Sequence, residues 1–328
     1  MATIKDVAAE AGVSVGTVSK VLRQVNVKEK NYKKVMDAIE KLDYRMNAYA
    51  QVLRTSRTFT IAIIVPDLTN PFFCALVCYV EQILGAIGYR LLLCNSQYNE
   101  GREKHYIEMV RQNMVDGLIA LSYANLEEYE KIDFPFVSID RNFGNHVTCV
   151  SCDNEAGGRL AAKVLLEKGC RKPVYLHNGV RSGDIRKRWT GFKSVFDEAG
   201  INVKRINFGN ETTLTNIRIH LIGEELERLV SSDAFDFDGI FTSSDVVALV
   251  VKKKLEQLGF AIPEEVQLIG YDGLREMNIG DYYVSTIVQP VKNIAMACVE
   301  NLLNQIDKKP YQKRIRLSVS FGDGGTTK

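Results

Sequence analysis

No stretch of the 328 residues reaches the ~18 uninterrupted apolar positions of a membrane-spanning helix. The opening Met1-Ala2-Thr3-Ile4-Lys5-Asp6 enters an amphipathic pattern with an early acid, not a secretory leader. A cytoplasmic location, with no membrane partner, is the expectation. The seven cysteines (74, 78, 94, 149, 152, 170 and 298) are odd in number and scattered, which fits reduced thiols better than a disulfide framework. The four histidines (105, 146, 177 and 220) show no metal-ligand spacing, and neither a G-x-x-x-x-G-K-[ST] loop nor a G-x-S-x-G elbow occurs. Cys149-Val150-Ser151-Cys152 is a single C-x-x-C in a strand-like run with no second pair, so it does not point to zinc or redox chemistry. Cys74 and Cys78, at i and i+4 on an apolar helix, read as core residues. An enzyme, a catalytic residue, a metal site and a cofactor are therefore not expected.

The chain does have the composition of a globular protein, 46% hydrophobic and 25% charged, and a length that suggests about two domains, or three if one is small. Its net charge of +2 hides an asymmetry: residues 1–57 hold eleven Lys and Arg against six Asp and Glu, and the remainder holds 31 against 34. A basic head on a slightly acidic body is the footprint of a nucleic-acid module joined to something else.

Within the head, Ile4, Val7, Ala8 and Ala11 recur at helical spacing, with Thr3 and Asp6 placed for a capping box. Gly12 suits a left-handed stop, and Ser14 caps a second helix that buries Val18 and Val21 with Leu22 beside them. A third amphipathic run turns Val35, Ile39 and Leu42 inward and Lys33, Lys34, Glu40 and Lys41 outward. Helix, glycine turn, helix and supporting helix make the helix-turn-helix plan, whose second helix enters the major groove.

The string Thr3-Ile4-Lys5-Asp6-Val7-Ala8, Ala11-Gly12-Val13-Ser14 and Thr17-Val18-Ser19-Lys20-Val21-Leu22 resembles the lactose/galactose-repressor (LacI/GalR) family. Leu42-Asp43-Tyr44, Asn47-Ala48, Ala50 and Leu53 continue the resemblance in order. The family implies a DNA-binding set of Ser14, Val15, Gly16, Thr17, Ser19, Lys20, Tyr44, Asn47, Ala50, Leu53 and Arg54. Val15 and Gly16 stand at the base-discriminating positions, where one offers only methyl contacts and the other no side chain. Lys20 replaces the family's usual arginine, so a bidentate fork becomes a single ammonium. Lys28, Asn31 and Tyr32 replace the usual Ser, Thr and Arg, and Met46 a frequent proline. The segment from Ala48 to Thr55 resembles the family's hinge helix, too short to be stable alone and ordered only in pairs over the operator, with Leu53 as a minor-groove wedge.

From Phe59 onward, β-branched runs alternate with helical patterns, the signature of parallel sheets with crossover helices. Strands are expected at 61–65, 91–94, 117–121, 136–139, 148–151, 174–176, 239–242 and 267–270. Helices are expected from Asn70 to about Gly88 and at 103–112, 186–199, 214–231, 246–258 and 291–306. Two open sheets bind ligands outside the carboxyl ends of their strands, here Pro66-Asp67, Asn95-Ser96, Asn178, Thr242-Ser243-Ser244-Asp245 and Tyr271-Asp272. This region resembles the same family's periplasmic-binding-protein-like body through Ile64-Val65-Pro66-Asp67, Asn70-Pro71-Phe72-Phe73, Asp116-Gly117-Leu118-Ile119, Ile139-Asp140-Arg141, Asp153-Asn154 and Gly270-Tyr271-Asp272. The resemblance implies an effector set of Asn70, Phe72, Phe73, Arg188, Trp189, Asp245, Asp272 and Gln289. An arginine and an aspartate facing one cleft suit a polyhydroxyl ligand, and Ser244 replaces a usual asparagine.

The expected architecture is α/β: a three-helix head (1–46, helix-turn-helix about 4–23), a hinge segment (47–58) and a two-lobed body (59–328) of two open, mainly parallel sheets with flanking helices. The first lobe is expected over about 59–159 and 289–317, the second over about 160–288 and 318–328. Val284 to Val288 reads as the last crossing between lobes before a helix returns to the first. The functional expectation is a transcriptional regulator, a repressor in sense, that binds palindromic double-stranded operator DNA as a homodimer and is switched by a sugar-like effector. Regulation by a phosphoprotein is an alternative, and a solute-binding protein without a DNA role is a third reading that leaves the basic head unexplained. No leucine heptads that would make a tetramer are present.

Overall fold

The computed structural model describes residues 2–22, 27–44, 57–112, 114–122, 127–177, 183–209, 215–231, 235–276 and 279–328. The chain divides into two compact units, Met1–Thr58 and Phe59–Lys328. The hinge positions Asn47, Ala50, Leu53 and Arg54 lie outside the described residues, as does Asn178.

The head contains helices α1 (Ile4–Ala11), α2 (Val15–Leu22) and α3 (Glu29–Lys41). The capping box forms as the local sequence requires: Thr3 Oγ1 accepts from the Asp6 amide, and the Asp6 carboxylate accepts from the Thr3 amide at 2.8 Å. Those bonds hold the Asp6 carboxyl below its ordinary range. Gly12 ends α1 at φ 63°, where an L side chain would be strained. Val7, Ala8, Ala11, Val18, Val21, Val35 and Ala38 form the core of this unit. Ala38 takes the central place on α3, with Ile39 and Leu42 at its edge. Lys28 stands at the N-cap of α3 without a side-chain bond, the consequence of having no hydroxyl there.

The body holds two six-stranded sheets. In the first, β1 (Thr60–Val65), β2 (Arg90–Asn95), β3 (Gly117–Leu121), β4 (Phe136–Ile139), β5 (Thr148–Cys152) and β11 (Arg314–Leu317) lie in the order β11-β5-β4-β3-β1-β2, every pair parallel. Strand periodicity of two splits the core: Ile61, Ile63 and Val65 of β1 pack on one face, and Ala62 and Ile64 on the other. The first face is covered by α4 (Pro71–Ala86) and α10 (Val291–Ile306), the second by α5 (Glu100–Arg111) and the short turn at Glu127–Tyr129.

In the second sheet, β6 (Pro173–His177), β7 (Lys204–Asn207), β8 (Gly239–Thr242), β9 (Gln267–Asp272), β10 (Thr286–Val288) and β12 (Ser320–Gly322) lie in the order β12-β10-β9-β8-β6-β7. Only the β10–β12 pair is antiparallel among the described strands. One face packs on α6 (Asn154–Glu167) and α7 (Gly183–Glu198), the other on α8 (Thr215–Ser231) and α9 (Asp245–Gln257).

Two expectations change. The helix Asn154–Glu167 packs with the second sheet, so the first crossing between lobes falls at Asp153 and not near 160. Two glycines in its first half (157 and 158) weaken its helical signal in the sequence. Val284 to Val288 is not the last crossing, because the chain passes again from β11 in the first sheet to β12 in the second, the passage that the expected lobe bounds of 317 and 318 contain. Strand β2 is an edge strand with Leu92 and Leu93 about 40% exposed. Among the described residues, no helix is long and apolar enough to cross a membrane.

Candidate functional site

In the head, the start of α2 is presented to solvent. Ser14 is exposed; its Oγ accepts from the Thr17 amide at 3.2 Å and lies 3.0 Å from Thr17 Oγ1. Val15, 40% exposed, and Gly16 follow, and Lys20 is exposed one turn on. An exposed valine beside a glycine at a helix start leaves a shallow apolar surface, suited to thymine methyls and to close backbone approach. Ser19 differs from the expectation: it is only 9% exposed and counts among the buried residues of α2 with Val18 and Val21. Tyr44 packs against the edge of the same core.

In the body, the second lobe assembles a buried cluster at the carboxyl ends of β8 and β9. It begins with a close helix crossing: a methyl group on Gly158 of α6 would lie 2.0 Å from the Arg188 carbonyl oxygen, and one on Gly191 of α7 would lie 2.0 Å from the Glu155 carbonyl oxygen. Backbone contact of this kind is open only to glycine. It brings Arg188 beside the first turn of α6, where its Nε donates to Asn154 Oδ1 at 2.7 Å. Nη1 donates to the Ser243 carbonyl at 2.6 Å, and the guanidinium lies 3.5 Å from the centre of the Tyr271 ring. Arg188 is only 7% exposed. Burial opposes its charge, but the Tyr271 ring and the carboxylates of Asp272 and Asp140 outweigh that and hold it protonated above its ordinary range.

Asp272 accepts from Gln289 Nε2 at 2.8 Å. The remaining Gln289 oxygen, Oε1, and the Tyr271 hydroxyl are buried without a hydrogen-bond partner. Orphaned buried polar atoms are costly and mark places where a ligand or water completes the bonding. Asp272 has φ 126°, and the loop that imposes this is held by Asp245. The Asp245 carboxylate accepts from the Gly273 and Leu274 amides at 2.8 and 2.7 Å and from Thr286 Oγ1 at 2.6 Å. Gly270 leaves room for it, since a methyl there would sit 2.0 Å from Asp245 Oδ1.

These contacts revise several expected roles. Asp245 is saturated by the protein and positions Asp272 instead of facing a ligand. Ser244 caps α9, its Oγ accepting from the Val247 amide at 3.4 Å. Trp189 stacks on Tyr175, centroids 5.8 Å apart, within the aromatic core of the second lobe. Phe72 and Phe73 are buried in the first lobe's core and pack edge to face at 5.9 Å, so their rings are covered rather than open to a sugar face. That same apolar cluster takes in Leu274 and, at its edge, Val246, so it reaches across to the second lobe. Asn70 caps α4, Oδ1 accepting from the Phe72 amide at 3.0 Å, and is 8% exposed. Arg188, Asp272 and Gln289 are brought together. Asn154, the Ser243 carbonyl, Tyr271 and Asp140 join them without having been given a site role; the signals for them are adjacency to the ends of β5, β8, β9 and β4 and, for Asn154, Tyr271 and Asp140, a place in the stretches that carry the family resemblance.

Burial raises the Asp272 carboxyl, with Arg188 opposing and Asp245 reinforcing. A carboxyl raised in the folded state holds its proton there while the unfolded chain has lost it. Its contribution thus weakens stability as pH rises from about 4, the ordinary carboxylate range, toward neutrality. Asp272→Asn removes that pH dependence, while also taking a compensating charge from Arg188. The variant is expected to show a smaller gap than the parent between pH 5 and pH 7.5 in ligand-free thermal melts. A gap as wide as the parent's contradicts this account of the buried carboxyl.

A helix-turn-helix unit followed by a two-lobed α/β body with a buried Arg–Asp cluster defines a ligand-responsive DNA-binding regulator. Residues 3–47 match the bacterial regulatory proteins of the lacI family, and residues 58–320 match the periplasmic binding proteins and sugar binding domain of the LacI family. The chain belongs to the LacI family of transcriptional regulators. It is 36% identical to the sucrose operon repressor of Streptococcus mutans, over 99% of both chains, and 33% identical to the ribose operon repressor of Halalkalibacterium halodurans, over 94% of this chain and 92% of that one. Among solved structures, a periplasmic binding protein/LacI transcriptional regulator from Alkaliphilus metalliredigens complexed with D-xylulofuranose is 28% identical, with TM-score 0.71, over 82% of this chain and 99% of that one. The operator-bound lac repressor dimer shares the fold over 99% of both chains, with TM-score 0.82 at 20% identity.

Proposed function

We propose that this regulator is a repressor that acts in the cytoplasm as a homodimer on an inverted-repeat operator, and that a sugar bound between the lobes switches its operator affinity. The observation that carries the effector half is the buried Arg188–Asp272–Gln289 cluster with its orphaned Gln289 Oε1 and Tyr271 hydroxyl. A cation, an anion and two unpaired neutral groups in one place match adjacent hydroxyls, which both donate and accept. Asn70, at the start of α4, is the first lobe's counterpart, its Nδ2 unused by the protein. The sugar names of the relatives, sucrose, ribose and xylulofuranose, agree with that class.

For DNA, the exposed Val15-Gly16 start of α2 reads the major groove and Lys20 contributes a charge. In the same reading, Leu53 is the minor-groove wedge and Asn47, Ala50 and Arg54 flank it. Dimerisation is supported by edge strand β2, where Leu92 and Leu93 lie exposed near Ile87; an apolar sheet edge is a ready-made pairing surface. Coupling of roughly 1–3 kcal/mol between effector and operator is typical and gives about a 5- to 150-fold change in affinity.

The test is fluorescence anisotropy with a palindromic promoter fragment and with random duplex, in the presence and absence of pentoses, hexoses and disaccharides. Affinity for the palindrome is expected to exceed that for random duplex, and at least one sugar should change it. Phosphate contacts make both affinities fall roughly ten-fold or more between 50 and 200 mM salt. Lys20→Ala should flatten that salt slope or narrow the preference for one base pair, by about 1–3 kcal/mol for a base contact. An unchanged slope and unchanged preference remove Lys20 from the interface.

A further inference from the structure

The second lobe holds a second inward-turned guanidinium, that of Arg205, in a different setting from Arg188. Arg205 lies on β7 opposite Tyr175 of β6, and its side chain turns to the same face of the sheet. Nε donates to Nε2 of His177 at 2.8 Å, and the guanidinium lies 5.3 Å from the centre of the Trp189 ring. Nη2 is buried with no hydrogen-bond partner. Because His177 accepts at Nε2, it is the neutral tautomer with its proton on Nδ1 and brings no compensating charge. Among the described residues, no carboxylate forms an ion pair with Arg205, whereas the field of Asp272 and Asp140 compensates Arg188. A buried donor atom left without a partner costs its desolvation and marks a place for an acceptor.

Arg205 and Trp189 are each partly exposed, so solvent reaches this group's surroundings. Trp189 directly follows Arg188 on α7, and His177 ends β6 at the carboxyl edge of the sheet, the ligand side of an open α/β sheet. The planar fork of an arginine matches an oxyanion with two parallel bonds.

We propose that Arg205 is the anion-reading end of the effector site, and that the effector is a sugar bearing an oxyanion, a phosphate ester or a carboxylate. Its hydroxyls meet Arg188, Asp272 and Gln289, and its oxyanion meets Arg205. This rests on the reading of the cleft as a sugar site and adds the charge class of its ligand.

The test uses the full chain. Its single tryptophan, Trp189, reports on the site by its emission. Glucose, glucose 6-phosphate, glucuronate, fructose, fructose 6-phosphate, ribose, ribose 5-phosphate and inorganic phosphate are titrated into the parent, Arg205→Gln and Arg188→Ala, and ligand-free melting temperatures are recorded. At least one anionic sugar is expected to bind roughly ten-fold or more tightly than its neutral parent and to shift the Trp189 emission. Arg205→Gln should erase that advantage, leave the neutral sugar's affinity within about two-fold and not lower the ligand-free melting temperature. The phosphate and carboxylate arms tell the two sources of oxyanion apart.

Neutral sugars that bind through Arg188 as tightly as every anionic form overturn the proposal and leave the sugar cleft standing. An anionic advantage that survives Arg205→Gln overturns it as well, as does a lowered ligand-free melting temperature with unchanged affinities, which makes Arg205 a packing residue. Inorganic phosphate that shifts Trp189 through Arg205, with no sugar depending on Arg188, supports the anion site and sinks the sugar reading instead. Silence from all eight ligands overturns both.

Discussion

Arg188→Ala is expected to abolish the effector response and to lower the stability of the body by about 3–5 kcal/mol, the range for removing one partner of a buried charge pair. The guanidinium satisfies Asn154 Oδ1 and the Ser243 carbonyl and covers the face of Tyr271. Its loss leaves two acceptors unmet and removes the positive charge that opposes the burial of Asp272 and Asp245. Both carboxyls then rise further, so the deficit should grow from pH 5 to pH 7.5. Urea unfolding at the two pH values measures this, and calorimetric titration with the best sugar measures the loss of binding. The head's core is built from its own residues, so operator binding by the folded fraction should persist. A variant that still answers the effector, or is destabilised by less than about 1 kcal/mol, places the binding determinants elsewhere.

The second large effect is expected at a residue that touches no ligand. Gly191→Ala sets a methyl 2.0 Å from the Glu155 carbonyl oxygen, a backbone atom that no rotamer change can move. Helices α6 and α7 must separate. Overpacking of this kind costs roughly 1–3 kcal/mol and occasionally more. The separation also draws Arg188 away from Asn154, whose place is fixed by the start of α6 just after Cys152. Effector affinity should therefore fall at least about ten-fold, because a shift on the order of an ångström in a binding group has an effect of that size. Gly158→Ala should behave alike, with its methyl 2.0 Å from the Arg188 carbonyl. Gly85→Ala is the control: the position is exposed on α4, and its methyl would lie 3.6 Å from Glu81 Oε1, an ordinary contact. If Gly191→Ala and Gly85→Ala bind the sugar equally well, the helix crossing does not set the position of Arg188.

The fold was largely legible because its signals are local. The Thr3–Asp6 box, the left-handed Gly12 and the Ser14 cap act over three residues, so they can be read from the sequence without a partner. The runs at 61–65 and 117–121 carry no polar side chain, as strands covered on both faces require. Elements whose signal depends on a distant partner were not visible. The α6 helix carries glycines that weaken its pattern and make sense only against α7. The apolar residues of strand β2 do not reveal that it lies at the sheet edge. Ser19 looks like a polar contact, yet the folded head leaves it only 9% exposed.

At the site the division is similar. Polar strand ends could be recognised, and the family resemblance pointed to Arg188, Asp272 and Gln289. Direction could not. Asp245 looks like a ligand-facing acid one turn into a polar loop, yet two amides and a hydroxyl from residues 273–286 enclose it. Trp189 and Phe72 carry the aromatic surface a sugar would stack on, but neighbours from other elements cover those faces.

Composition, periodicity and capping residues thus determined a basic three-helix unit on an α/β body, and the family resemblance added an arginine and an aspartate held for hydroxyls. The tertiary structure alone decided which of those side chains are free to meet a ligand and which are consumed in holding the others. The physical reason is that hydrogen-bond saturation and burial are properties of all the groups around an atom, and in this chain those groups come from residues 17 to 83 positions apart.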